Sequence, residues 1–187
     1  MRTIFILLLS LLSLQSIIGQ ENIITEADSL YREDQFYLGV TYNLIGKLPE
    51  GMSQNGFSSG FHIGFIRDMP INTDRTIAIG IGIGYSTNSY NQNLLISKDS
   101  QGVFNFELLE NSTFSKNKFS NHLIEIPFEL RWRTSTAESY KFWRIYSGLK
   151  LGYVFASTSK FKGDPNNIEL TNISAFEKFR YGLTLSV

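Results

Sequence analysis

The sequence predicts an all-β protein, an antiparallel up-and-down transmembrane β-barrel with six strands present of an expected eight. Three observations carry that reading. Apolar residues alternate with small or polar ones over six long stretches, the period of strands whose successive side chains face opposite ways. The faces opposite the apolar ones hold glycines and a few charges, which suits the narrow inside of a small barrel better than a water-facing surface. The links between stretches alternate long and short, as where short periplasmic turns face long outer loops.

Composition fits. The 187 residues include 15 Gly, 15 Phe and 9 Tyr against 4 Pro, a mixture that favours strands. Lys+Arg and Asp+Glu stand at 17 each, so no strong field recruits nucleic acid. Cysteine is absent. That excludes disulfide scaffolds, thiol catalysis, thiolate metal sites and a lipidated N-terminal Cys.

The first segment reads as an address. Met1-Arg2-Thr3 places a positive charge ahead of an apolar run from Ile4 to Ile18, and Gly19 precedes the polar Gln20-Glu21. This is the pattern of a secretory signal peptide over residues 1–19, cleaved after Gly19. The run is shorter than the roughly 20 residues of a spanning helix. Residues 20–35 are polar and read as a periplasmic N-terminal tail, and residues 36–187 as the barrel domain.

The clearest strand is Arg75 to Ser86, with Ile77, Ile79, Ile81, Ile83 and Tyr85 on one face and Ala78, Gly80, Gly82 and Gly84 on the other. Before it, Phe36 to Ile45 sets Phe36, Leu38, Val40 and Tyr42 against Tyr37, Gly39 and Thr41, and Phe57 to Arg67 sets Phe61, Ile63 and Phe65 against Gly60, His62 and Gly64. After it come Asn121 to Arg133, Tyr140 to Thr158 and Phe176 to Val187. The apolar faces make a band that lipid tolerates and water does not. Residues 46–56, 87–120 and 159–175 form the long outer links, and 68–74 and 134–139 the short ones. Within the longest link, Leu94 to Ile96 and Val103 to Leu109 are expected to extend the strands beyond the membrane. Trp132 and Trp143 flank the second short turn at one membrane interface. Eight strands are the usual minimum, and unpaired edges are not tolerated in lipid. The chain, stopping at Leu185-Ser186-Val187 in mid-pattern, therefore reads as truncated by two strands.

The inward parity carries Glu125, Glu129, Arg131, Arg133, Arg144, Lys150, Lys178 and Arg180. These are expected to pair across a filled interior rather than line a conduit, since so small a bore only accommodates side chains. A turn at 134–139 sets Arg133 opposite Tyr140, and so makes Glu129 and Arg144 a barrel-interior charged pair. Gly80-Ile81-Gly82-Ile83-Gly84 has glycines at period two and no following helix, so it reads as small inward residues and not as a phosphate loop. His62, near Ser58 and Ser59, is the one candidate base, and it reads first as a satisfied interior side chain. No catalytic, cofactor-binding or metal-ligating residues are assigned.

Three segments carry a family resemblance: HLIEIPFELRWRT at His122 to Thr134, YKFWRIYSGLKLGYVFAS at Tyr140 to Ser157, and FEKFRYGLTLSV at Phe176 to Val187. With them the chain resembles the PorT-like outer-membrane β-barrel family over roughly residues 36–187. The resemblance implies an eight-stranded barrel after a cleaved signal peptide, in the outer membrane of a Gram-negative cell. The family's namesake is an accessory of type IX secretion, and the family supplies no catalytic residues.

The expected function is that of a non-enzymatic outer-membrane β-barrel with a structural or interaction role, a type IX secretion accessory among the candidates. Its expected partners are outer-membrane lipid and other envelope or secretion proteins, with no nucleic acid and no cofactor. Two alternatives stand: an outer-membrane enzyme using His62, and a soluble secreted lipocalin-like ligand-binding barrel. The second needs the Ile77–Ile83 face to point inward.

Overall fold

A computed structural model describes residues 31–110, 114–136, 139, 141, 143–163 and 166–187. The expected signal peptide and residues 20–30 of the tail lie outside the described residues, as does Tyr140. Nine strands follow in chain order: β1 (Gln35–Tyr42), β2 (Ser59–Pro70), β3 (Ile77–Asn91), β4 (Leu94–Lys98), β5 (Phe104–Leu108), β6 (Phe114–Arg133), β7 (Arg144–Gly163), β8 (Asn167–Thr171) and β9 (Phe179–Ser186).

The architecture is all-β and antiparallel. Six strands pair in the order β1-β2-β3-β6-β7-β9 and correspond to the six stretches read from the sequence. β8 folds back on the far end of β7. β1 and β9 stand at the two edges of the sheet, and among the described residues no ladder joins them.

The faces follow the parity. Ile83 is 61% exposed on β3, Leu151 56% on β7 and Leu183 86% on β9, together with Leu38, Ile63, Ile126 and Leu130 on the same outer surface. Ala78, Ile66 and Leu123 are buried on the inner face. So continuous an apolar exterior is stable only against lipid. It also disposes of the lipocalin-like alternative, because Ile77, Ile81 and Ile83 point outward.

The strands are longer than a membrane needs. β6 and β7 have 20 residues each. At about 3.3 Å per residue and a tilt near 40°, each rises roughly 50 Å, about twice the apolar band. The ends away from the short turns therefore build a crown outside the membrane. The sequence reading of that crown needs correction. Leu94 to Ile96 and Val103 to Leu109 do not prolong the barrel strands; β4 and β5 pair only with each other, as a separate hairpin. The prolongation comes from Tyr85–Asn91 of β3 pairing with Lys118–Ile124 of β6.

The second correction concerns register. Arg133 stands opposite Arg144, not Tyr140, and Glu129 opposite Gly148, not Arg144. The connection is longer than the expected 134–139. Thr136 N donates to Ser139 O at 2.9 Å, but the ladder closes outside that contact, with Thr134 N donating to Trp143 O at 3.1 Å. A four-residue shift leaves every side chain on the same face, so alternation alone does not reveal it.

Candidate functional site: the charged mouth of the barrel

The ends of β2 and β6, the starts of β3 and β7, and residues 31–35 converge at the short-turn end of the barrel. Asp68 of β2, Arg131 and Arg133 of β6 are buried there with side chains at 0% exposure. Arg133 Nη1 donates to Asp68 Oδ2 at 2.8 Å, and Arg131 Nη1 lies 3.4 Å from Asp68 Oδ1. Arg131 Nε also donates to Glu129 at 3.0 Å, and its guanidinium lies over the Tyr146 ring. Gly80 makes room for it, since a Cβ there would come within 2.7 Å of Arg131 Nε. The glycine run of β3 is therefore a set of notches for side chains crossing the bore, Arg131 at Gly80 and Tyr37 at Gly84.

Glu33 closes this network from outside the sheet. Arg144 grips its carboxylate with two bonds, Nε to Oε2 at 2.9 Å and Nη2 to Oε1 at 2.8 Å. Ser135 Oγ donates at 2.8 Å, Tyr146 Oη at 3.3 Å, and Tyr31 Oη donates as well. Arg133 Nη1 stands 3.8 Å away. Burial alone would push the Glu33 carboxyl up; the bonds from Arg144, Tyr31 and Ser135 and the charge of Arg133 reverse this and hold it at about 2. The backbone is held too. Glu33 N donates to Asp68 Oδ2 at 3.2 Å, and Glu33 O accepts from Arg131 Nη1 at 3.1 Å. Neighbouring side chains add Arg131 Nη2 to Gln35 Oε1, an Asp34–Arg67 ion pair, and the Arg133 guanidinium over the Tyr31 ring.

The residues singled out from the sequence are distributed differently from expectation. The Glu129–Arg144 pair is replaced by two others, Glu129 with Arg131 and Arg144 with Glu33. His62 lies mid-bore. Its Nδ1 is 3.6 Å from Glu125 Oε2, which also faces Lys150 Nζ at 3.4 Å. Its Nε2 is 3.1 Å from Thr41 Oγ1, but the Thr41 hydroxyl donates to Asn43 Oδ1 at 2.9 Å. The hydroxyl proton is thus committed away from the imidazole, opposite to what a nucleophile–base pair needs. Ser58 is no nearer to the role; its hydroxyl accepts from Asn91 N in the crown.

Glu33 is the residue that sequence reading missed, placed in a polar tail. A signal was present. The inward parity lists only Glu125 and Glu129 against six cations, an excess that a filled interior does not carry without further acids. Asp68 and Glu33 are two of the missing ones.

Comparison with known proteins bears on the whole barrel. No curated protein and no solved structure matches the chain. A family model described as the outer membrane protein beta-barrel domain matches residues 19–187. That match, covering nearly all of the chain and every strand above, places the protein in the outer membrane and makes it a member of the outer membrane protein beta-barrel domain family.

Proposed function

We propose that this outer-membrane barrel is non-enzymatic and works as an interaction protein through its crown, as a PorT-like accessory of envelope secretion would. The observation that supports this is the contrast along the strands: the inner end of the bore is packed with salt-bridged side chains, while β3, β6 and β7 run on into a built outer structure. That structure is more than slack loop. Asn93 accepts from Ser53 N and donates to Gly51 O and Leu109 O, tying the 46–56 link to the β4–β5 hairpin. Val103, Phe106 and Leu108 of the hairpin region stay exposed, the kind of apolar group a protein partner covers.

The test is a photo-crosslinking residue at Phe106 in intact cells, with one on lipid-facing Leu183 as control. A discrete protein adduct at Phe106 that is absent at Leu183 is expected. Type IX cargo should also accumulate in the periplasm when residues 94–108 are replaced by a short turn and the barrel still assembles. Normal secretion in that strain would reject the secretion role. A phenotype carried by His62→Ala alone would favour the enzymatic reading.

A further inference from the structure

We propose that the periplasmic mouth is a carboxylate-recognition site for an extended acidic peptide, which the chain here fills with its own Glu33.

The site has a frame of its own on the sheet. Arg131 and Arg133 are both held by Asp68, and Arg131 by Glu129 as well, so each guanidinium has an ionic partner besides residues 31–35. Ser135 and Tyr146 supply further donors on the same side. Asp68 and Glu129 partner Arg131 and Arg133 from within the sheet, and Glu33 brings the carboxylate that Arg144 grips. Planar guanidiniums with a two-bond grip select carboxylates by shape as well as charge.

The occupant is held in a way that another chain can reproduce. Residues 31–34 belong to no strand. They are fixed by the Glu33 and Asp34 carboxylates, the Glu33 backbone N–H, the carbonyls of Tyr31 and Glu33, and flanking groups. The flanks define the ligand further: an aromatic ring two positions before the acid, on Arg133, and an amide two positions after it, on Arg131. A periplasmic protein offering an exposed Tyr-x-Glu-x-Gln stretch presents the same groups and competes with the chain's own segment.

The test uses the full chain refolded in detergent micelles and a fluorescent peptide with the sequence of residues 29–37. Glu33→Ala, with an emptied socket, should bind it at least about tenfold more tightly than the wild type, and a peptide with Gln at position 33 about tenfold more weakly, the worth of a charge-assisted bond. Arg144→Gln in the Glu33→Ala background should erase the difference between the two peptides. Equal binding of both peptides, binding indifferent to Arg144, or no binding to folded Glu33→Ala would overturn the proposal. Acetate competing as well as the peptide would overturn its peptide specificity. Should Glu33→Ala not assemble, Glu33→Gln keeps the size of the side chain. Should neither assemble, the wild type decides: excess Glu peptide should speed tryptic cleavage after Arg32 and the Gln peptide should not, and an unchanged rate counts against the site.

Discussion

The two ends of the bore are stabilised by different chemistry. At the short-turn mouth the buried polar groups are ions: Asp68, Arg131 and Arg133, closed over by Glu33 and Arg144. In the crown they are neutral: Ser58, Ser89, Gln92, Asn93, Asn117, Ser157 and Ser159. The crown also keeps space, a cavity of about 410 Å³ among Leu44, Met52, Leu94, Phe119 and Phe176. Ions make the mouth an all-or-none cluster, since a buried charge that loses its partner costs far more than a buried amide that loses one bond. Amides and hydroxyls stitch loops one bond at a time, and a crown built so gives way locally. An ion-clamped mouth and an adaptable outer surface follow from residue type alone.

The difference should be largest for a buried guanidinium. Arg131→Ala leaves Asp68 with one ionic partner, Arg133, and Glu129 without its guanidinium, and should cost about 3–5 kcal/mol of barrel stability, the usual result of breaking a buried pair. Urea unfolding in micelles, followed by the heat-dependent gel shift of folded barrels, reads this. A loss no greater than that of a surface arginine would mean that the mouth is not a cooperative cluster.

Acid should act on the same end. Glu33 titrates at about 2 in the folded chain against 4.5 ordinarily. A depressed carboxyl contributes stability that is full above about 4.5 and is lost as pH falls through about 2. The gap is worth up to about 3 kcal/mol, and the Glu33 side chain, 16% exposed, keeps most of it from solvent screening. Stability should therefore be insensitive to this group from pH 5 to 8 and fall in strong acid. Glu33→Gln should be less stable at neutral pH and show a flatter acid limb. A parallel acid limb in both proteins would remove Glu33 from the account.

What could be read from the sequence divides along the same lines. Outward and inward faces were legible because parity is local: Ile77 to Tyr85 and Ile124 to Trp132 each declare their side within one strand. The mouth was not, because Glu33 meets Arg144 across 111 residues of chain, and nothing in Tyr-Arg-Glu-Asp-Gln marks it as more than a polar tail. The β4–β5 hairpin was misread for a related reason. Short apolar runs say that a strand forms but not what it pairs with, and Leu95 and Ile96 are buried by the crown rather than by the barrel.

In the crown, Asn93→Ala removes three bonds that hold Ser53, Gly51 and Leu109 together. The expected cost is about 1–3 kcal/mol, the loss of three part-buried hydrogen bonds, confined to the crown. Limited proteolysis should find the 46–56 link cut faster, while urea unfolding of the barrel moves little. Global destabilisation equal to that of Arg131→Ala would erase the contrast between the two ends.

The smallest expected effect is a weak, indirect coupling. Glu129 and Arg144 share an inward face, and a turn at 134–139 would have made them partners. The observed ladder puts Gly148 opposite Glu129 and gives Arg144 to Glu33. The two belong to one ion network but meet only through Arg131 and Glu33, so their coupling is indirect. A double-mutant cycle on Glu129→Gln and Arg144→Gln should read clearly less than that of a directly bonded pair. The cycle on Glu33→Gln and Arg144→Gln should exceed about 1 kcal/mol, as directly bonded charged pairs do. Only the register differs between the two outcomes, because parity is identical in both. Strong coupling of Glu129 to Arg144 would move β7 by four residues along β6, return the guanidinium to the barrel wall, and leave Glu33 without its two-bond grip. The pair of cycles therefore tests in one experiment both the register of the β6–β7 hairpin and the closure of the mouth.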